Sequence, residues 1–393
     1  MIGPLTGIRI LDFTRYQQGP YATVMLSDLG ADVIKVEERT NGDLGRALGM
    51  QPDGWCAYFE AQNRNKRSIT IDSRTPKGRE ICHQLALDVD VVTDNFRPGV
   101  MKRLGLDYDS LSKTNPRIIT ASASGFGTEG PNTYEPSFDI IGQGMGGIMV
   151  AQGGGPGREP ESLIGGFADQ VGAMVFALGI TSAIIARELH GVGQHVDVSL
   201  LGSQIAVQNL SLQTFLRHGH QGISERKQNP LFTHYTGSDG KSLTIGLLDP
   251  KWWPGLCSVL DREDLMADPR FAEPRGRYEN REDLIAELEC AFAKQPRDYW
   301  IKALKEADVP CGPVNTYEEV AAEPQVLANN YITEVDHPLF GPVRVPGSPI
   351  RMSKHETGPR HFAPELGQHT EEILLDLGYS WEEIAKLKDE QVI

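Results

Sequence analysis

The chain has 393 residues, 39% hydrophobic and 23% charged, a composition that excludes a disordered or fibrous protein, and its length predicts about two domains. A formal charge of −15 argues against nucleic acid as a partner, although local Arg, Lys and helix N-termini can still hold an anionic ligand. Five widely spaced cysteines, Cys56, Cys82, Cys257, Cys290 and Cys311, argue against a disulfide framework or a zinc site.

The first twenty residues lack a basic stretch followed by an apolar run and a cleavage site, and no apolar run reaches the ~18 residues of a membrane span. A cytoplasmic protein without membrane contact is expected. Residues 7–37 then alternate between the apolar run IRILDF, the turn TRYQQG, a helical stretch opening at Pro20 and ending near Gly30, and DVIKVE. Proline at the start and glycine at the end frame a helix between two strands, a β-α-β unit. RSITID, the helical TPKGREICHQLALDV, VDVVTDNF and PRIITASASGFG repeat the theme. Strands alternating with helices imply an α/β fold with a mostly parallel sheet covered on both faces.

Glycine is dense over 142–166 and predicts a flexible loop; Asp169 to His190 then reads as one long, largely apolar helix. GQHVDVSLLGSQIAVQN gives a short strand and a further helical run, and LRHGHQGISERKQNP a polar, basic linker or loop. Beyond it, Ser238-Asp239-Gly240 marks a hairpin, followed by helices to about residue 308, Pro- and Gly-rich extended chain, and a closing helical pair in EEILLDLGYSWEEIAKLKDE. The expected organisation is a large α/β domain over 1–200, completed by 326–393, a linker over 201–230, and a small α+β domain over 231–325.

Gly142, Gly144 and Gly147 satisfy G-x-G-x-x-G, but the glycine run that follows breaks the helix whose N-terminus should carry a pyrophosphate, which disfavours a dinucleotide site. The ten histidines are not set at ligand spacings, and no metal is expected; His218 and His220 read as solvated loop residues. Cys311, between prolines in VPCGPV, reads as a structural thiol. Asp169 opens the long helix and reads first as its N-cap, a role worth ~1 kcal/mol. A helix N-terminus also stabilises an ionised carboxylate, so a cap and a nucleophile are compatible.

These segments together resemble the class III CoA-transferases, the family of formyl-CoA transferase and carnitine CoA-transferase. The resemblance runs nearly end to end through GIRILDFTRYQQGPYAT, LGADVIKVE, NRNKRSITIDSRTPKGRE, DNFRPGVMKRLGLDYDSL, NPRIITASASGFG, FADQVGAM, HGVGQHVDVSLLGSQ, VPCGPV and LGQHTEEILLDLG. It implies that Asp169 is the acyl-accepting nucleophile, that Gln17 lines the reacting centre with the Gln18 backbone as an oxyanion donor, and that Asp139 and Gln143 are further active-site residues. For CoA it implies Arg39, Ile71, Arg74, Arg103 and Leu104, with Phe138 where some relatives have a CoA-contacting tyrosine and racemases a catalytic histidine. Glu38 is an alternative to Arg39 at the aligned position.

The implied reaction moves CoA from an acyl-CoA, such as succinyl-CoA, to a small free carboxylic acid through an aspartyl anhydride and an aspartyl-CoA thioester. The glycine-rich stretch 142–157 is expected to exclude water. Where formyl-CoA transferases carry a glycine run over the site, this chain has RKQNPLFTHYTG, so formate and oxalate are not expected as natural substrates. His218, His220, Arg226 and Lys227 offer a cationic cluster for a dicarboxylate. The family also implies a large Rossmann-like domain and a homodimer of interlocked chains. An α-methylacyl-CoA racemase and a non-catalytic CoA-binding protein remain the alternatives.

Overall fold

A computed structural model describes residues 3–219 and 229–393. His220, Arg226 and Lys227 of the expected cationic cluster lie outside the described residues. The chain divides into two units, the first formed by the described residues of 1–152, 160–221 and 325–393, the second by those of 153–159 and 222–324.

The first unit is built on β1 (Arg9–Asp12), α1 (Gln18–Asp28), β2 (Asp32–Glu37), α2 (Ala57–Asn63), β3 (Arg67–Thr70), α3 (Pro76–Leu87), β4 (Val91–Asp94), α4 (Val100–Leu104), α5 (Tyr108–Leu111) and β5 (Ile119–Ser124). It continues with α6 (Asp139–Met145), α7 (Ile148–Gln152), α8 (Phe167–His190), β6 (His195–Ser199), α9 (Leu200–Val207) and α10 (Asn209–His218). The six strands form one parallel sheet in the order β3-β2-β1-β4-β5-β6.

Successive residues of a strand point to opposite faces, and the core follows that rule. Leu11 and Ile34 face a cluster closed by Ile81 and Leu85 of α3 and by Ile373, Leu374, Ile384 and Leu387 of two C-terminal helices, Thr370–Asp376 and Trp381–Asp389. Ile10 and Val33 face the other cluster, closed by Ala22 and Leu26 of α1 and Phe176, Ile180 and Ile184 of α8. Strand order reverses between β1 and β4, and the loops leaving their C-terminal ends part there, the place where open α/β sheets hold ligands.

Two stretches differ from the sequence reading. The expected loop 142–166 contains most of α6 and all of α7, because Gly142 and Gly146 serve close packing: a Cβ would lie 3.0 Å from that of Leu200 and 2.4 Å from that of Gln204, respectively. The expected linker 201–230 begins with α9 and α10. Of these, α9 is the helical run expected from SLLGSQIAVQN, capped by Ser199 Oγ accepting from Gly202 N, whereas the polar residues of 209–218 mask α10.

In the second unit, β7 (Phe232–Thr236), β8 (Ser242–Gly246) and β9 (Cys311–Pro313) form an antiparallel sheet, with the expected turn at Gly240 in the left-handed region. Tyr235 stacks on Phe292 at 4.8 Å, and Trp300 meets the same ring edge-on, giving this unit its own core. In the first unit, β10 (Ile332–His337) and β11 (Gly341–Pro346) pair as a hairpin within the Pro- and Gly-rich stretch.

Candidate active site

The turn after β1 carries Tyr16, Gln17 and Gln18 to the switch point. Tyr16 has φ +65°, a left-handed conformation that costs a side-chain-bearing residue about 1–2 kcal/mol. Gln17 then stands at the N-cap position of α1 without a side-chain cap bond, and its amide instead donates from Nε2 to Gly165 O at 3.0 Å. A side chain at Gly166 would put Cβ 2.4 Å from Gln17 Nε2, and its φ of +70° also favours glycine. Gly172 makes similar room for Gln18, whose Nε2 would be 2.7 Å from an added Cβ. Glycines at the start of α8 therefore let the two glutamines close against it.

Asp169 does not cap α8. The cap position belongs to Gly166, and Asp169 sits in the first turn without a side-chain cap bond. The capping carboxylate comes from α6: Asp139 Oδ1 accepts from the amides of Ala168 at 2.6 Å and Asp169 at 3.1 Å. Asp139 Oδ2 accepts from Gln143 Nε2 at 2.7 Å. The fully buried Gln143 also exchanges bonds with both the N–H and the C=O of Leu163 at 2.9 Å. Asp139 thus fixes the backbone of the residue whose side chain is left free, and Gln143 fixes Asp139 and the chain leading into α8.

Burial, and secondarily the Asp139 charge, push the Asp169 carboxyl up to about 7. A free aspartate would be fully ionised at neutral pH; this one is poised at its midpoint, while the α8 N-terminus favours the anion. Tyr58 is also held protonated, first by burial and then by the Asp169 charge.

A cavity of about 230 Å³ brings together Gln17, Gln18, Phe138 and Asp169 with Tyr16, Asn95, Phe96, Arg97, Ser124 and Ser137. Phe138 meets Tyr16 edge-on at 5.9 Å and supplies hydrocarbon at the wall. Phe96 also lines a second cavity of about 220 Å³, together with Phe13, Arg15, Glu38, Ile71 and Arg74. Ile71 offers an apolar face there, and Arg74 a cation paired with Asp72 at 2.8 Å and Glu38 at 3.6 Å. Arg39 lies outside this lining, where Glu38 takes the place, and donates instead to Gln391 Oε1 at 3.4 Å. Arg103 is exposed and Leu104 packs on the core, its carbonyl bonded to His83 Nε2 at 2.9 Å; neither lines the two cavities.

Cavity residues not singled out from sequence include Tyr16, Asn95, Phe96, Arg97, Ser124 and Ser137, and Tyr58 lies outside the lining but feels the Asp169 charge. Asn95, Phe96 and Arg97 stand in the block DNFRPGVMKRLGLDYDSL and follow β4 at the switch point, which is the signal that marks them. Among the described residues, no group of three or more His, Cys, Asp or Glu side chains is placed to share a metal ion.

Chemically, the arrangement offers a carboxylate facing an enclosed space, two glutamines beside it, and a neighbouring cavity with apolar and cationic walls. The model of CoA-transferase family III matches residues 5–370. An acetyl-CoA:oxalate CoA-transferase from Acetobacter aceti is 36% identical over 93% of this chain and 94% of its own length. The mouse (Mus musculus) succinyl-CoA:glutarate CoA-transferase is 33% identical over 95% of this chain and 86% of its own. The crystal structure of a CAIB/BAIF family protein from Brucella suis covers 96% of this chain and 100% of its own at 35% identity, with a TM-score of 0.86. The chain belongs to CoA-transferase family III, and it is an acyl-CoA transferase enzyme.

Proposed function

We propose that this member of CoA-transferase family III moves CoA from an acyl-CoA donor, with succinyl-CoA the first candidate, to a small free carboxylic acid, with Asp169 as the nucleophile. The observation that carries the reading is the Asp169 carboxylate, free of hydrogen-bond duty, in one cavity with Gln17 and Gln18 while Asp139 performs the cap.

In this mechanism an Asp169 oxygen attacks the thioester carbon, the C–S bond breaks, and CoA leaves as a thiolate. The thiolate attacks the Asp169 carbonyl of the mixed anhydride, releasing the donor carboxylate and leaving an aspartyl-CoA thioester. An acceptor carboxylate attacks that thioester and expels the thiolate again. Attack of the thiolate on the acceptor's acyl carbon restores Asp169 and forms the new acyl-CoA. Each addition creates an oxyanion, for which the amides of Gln17 and Gln18 are the donors. CoA occupies the paired cavities, its nucleotide end against Ile71 and Arg74.

The relative named for glutarate supports a short dicarboxylate as acceptor, and the one named for oxalate counts against the expectation that set oxalate aside. The α-proton chemistry of a racemase needs two bases, and the hydrocarbon of Phe138 can accept no proton. Turnover in the presence of hydroxylamine or borohydride is expected to trap an adduct on the peptide containing Asp169. Solvent deuterium entering the α-carbon without any transfer between carboxylates would overturn the assignment. Mass analysis of acyl-CoA donors against free carboxylates, succinyl-CoA and acetyl-CoA first, identifies the substrate pair.

The reading includes a cytoplasmic homodimer of interlocked chains with a Rossmann-like large domain. Supporting it, α8 buries Phe176, Ile180 and Ile184 on one face and leaves Met174 53%, Leu178 66%, Ile185 55% and Leu189 73% exposed on another. Such a stripe on a helix calls for a covering surface. Light scattering at micromolar concentration is expected to give a dimer mass at all dilutions short of unfolding; a monomer contradicts it.

A further inference from the structure

The turn that carries Gln17 and Gln18 is tied down at every step by residues from other strands and loops. Thr14 N donates to Asp12 Oδ1 at 2.9 Å, and Lys35 Nζ donates to Thr14 O at 2.8 Å. Arg15 N donates to Asn95 Oδ1 at 2.9 Å while Asn95 Nδ2 returns a bond to Arg15 O at 2.7 Å. Tyr16 N, on the residue with φ +65°, donates to Asp43 Oδ1 at 3.1 Å. At the next two residues the pattern stops: among the described residues, the amides of Gln17 and Gln18 donate to no protein acceptor.

Lys35 and Asp43, which hold this turn at Thr14 and Tyr16, form an ion pair of their own at 2.8 Å with both side chains 1% exposed. Burial works against the Lys35 charge, but the carboxylates of Asp43, Asp12 and Glu37 hold its affinity for the proton above the ordinary value. Asp43 is located in turn by its own N–H donating to Glu37 Oε2 at 3.0 Å, and by Gly45 N, which donates to Oδ1 at 2.9 Å. Neither Lys35 nor Asp43 lines the cavity that holds Asp169.

A surface turn needs no such anchoring, and a buried ion pair is a weak route to stability when apolar residues of similar size would serve. What the pair does supply is a fixed position for two backbone groups that lead into a left-handed residue. We infer that Lys35 and Asp43 are positioning residues for the transfer reaction: through Thr14 O and Tyr16 N they lock the turn that aims the free amides of Gln17 and Gln18 at the oxygen of the thioester carbonyl. This rests on the proposed aspartyl mechanism and names a part of it that touches neither substrate nor CoA.

Removing one partner alone strands a buried charge and endangers folding, so the decisive variant is the double change Lys35→Met with Asp43→Ala, which removes both charges together. In this full-length double variant, kcat is expected to fall about 10²-fold, the loss typical of a misplaced oxyanion donor. KM for the acyl-CoA is expected to stay within about threefold, because Ile71 and Arg74 are untouched. Hydrogen–deuterium exchange is expected to quicken in the peptide spanning residues 13–20 and not in β1 or α8.

A folded double variant with kcat within about threefold of the unaltered enzyme overturns the inference, as does a loss expressed entirely in KM. So does a slow variant whose exchange over residues 13–20 is unchanged. The exchange result does not depend on the chemistry, and trapping at Asp169 is measured on the unaltered enzyme. Failure of the clamp and failure of the aspartyl mechanism are therefore told apart.

Discussion

The two cavities that share Phe96 as a wall are built in opposite ways. Around Asp169 the groups are fixed by partners distant in sequence: Asp139 caps a helix 30 residues ahead, and Gln17 reaches Gly165 across 148 positions. Around Ile71 one of the two cations is Arg74, 76% exposed and held by Asp72, two residues away. Reacting atoms demand placement within fractions of an ångström, which needs supports that are themselves buried. A charged ligand end is served by a mobile cation in water, and loses little when that cation is exchanged.

The sharpest break in this contrast is Asp169→Asn, which keeps the shape and removes the anion; transfer is expected to drop by ~10⁴-fold or more with CoA binding intact. The same change tests the electrostatics. Because the folded-state affinity of Asp169 for its proton is raised from 3.8 to about 7, its ionisation opposes folding as pH climbs through that window. The Asn variant is therefore expected to melt higher than the unaltered protein at pH 8 and equally at pH 3. Melting points that coincide at both pH values would remove this account.

Gly166→Ala comes next. The added Cβ meets the Gln17 amide at 2.4 Å on a backbone with φ +70°, so a fall of about 10²-fold in kcat and a loss of ~1–3 kcal/mol in stability are expected. Urea titration and steady-state rates check the two parts. An active, undisturbed variant would show that Gln17 need not be held where it is.

A smaller effect is expected from Asp139→Asn, read as a pH profile. In the unaltered enzyme kcat/KM should rise with pH through about 7, as Asp169 of the free enzyme loses its proton. Removing the Asp139 charge takes away one of the two causes of that shift, so the midpoint should move to lower pH while burial still keeps it above an ordinary aspartate. A midpoint that stays or rises would mean that burial alone sets it.

The smallest effects belong to the other cavity. Arg74→Ala should raise KM for acyl-CoA no more than about fivefold and leave kcat alone. Arg39→Ala should change neither, since Glu38 and not Arg39 lines that cavity. An Arg39 effect larger than that of Arg74 would reverse the order given to the two residues.

The alternation of apolar strands with capped helices is enough to predict the α/β sheet and the long helix ending at His190, because each rests on a periodicity within one segment. Membership of a family follows from many ordered blocks, and the proposal that Asp169 is the nucleophile rests on it. Three things were decided only by tertiary structure. Asp169 passes its expected capping role to Asp139, the glycines at 142 and 146 make helix contacts where a loop was expected, and the buried pair of Lys35 and Asp43 grips a turn 20 and more residues away. The reason common to all three is packing: a charged or hydrogen-bonding side chain has many possible partners in an open chain until strands and helices close around it and leave one, and a glycine's close contact exists only once two helices meet.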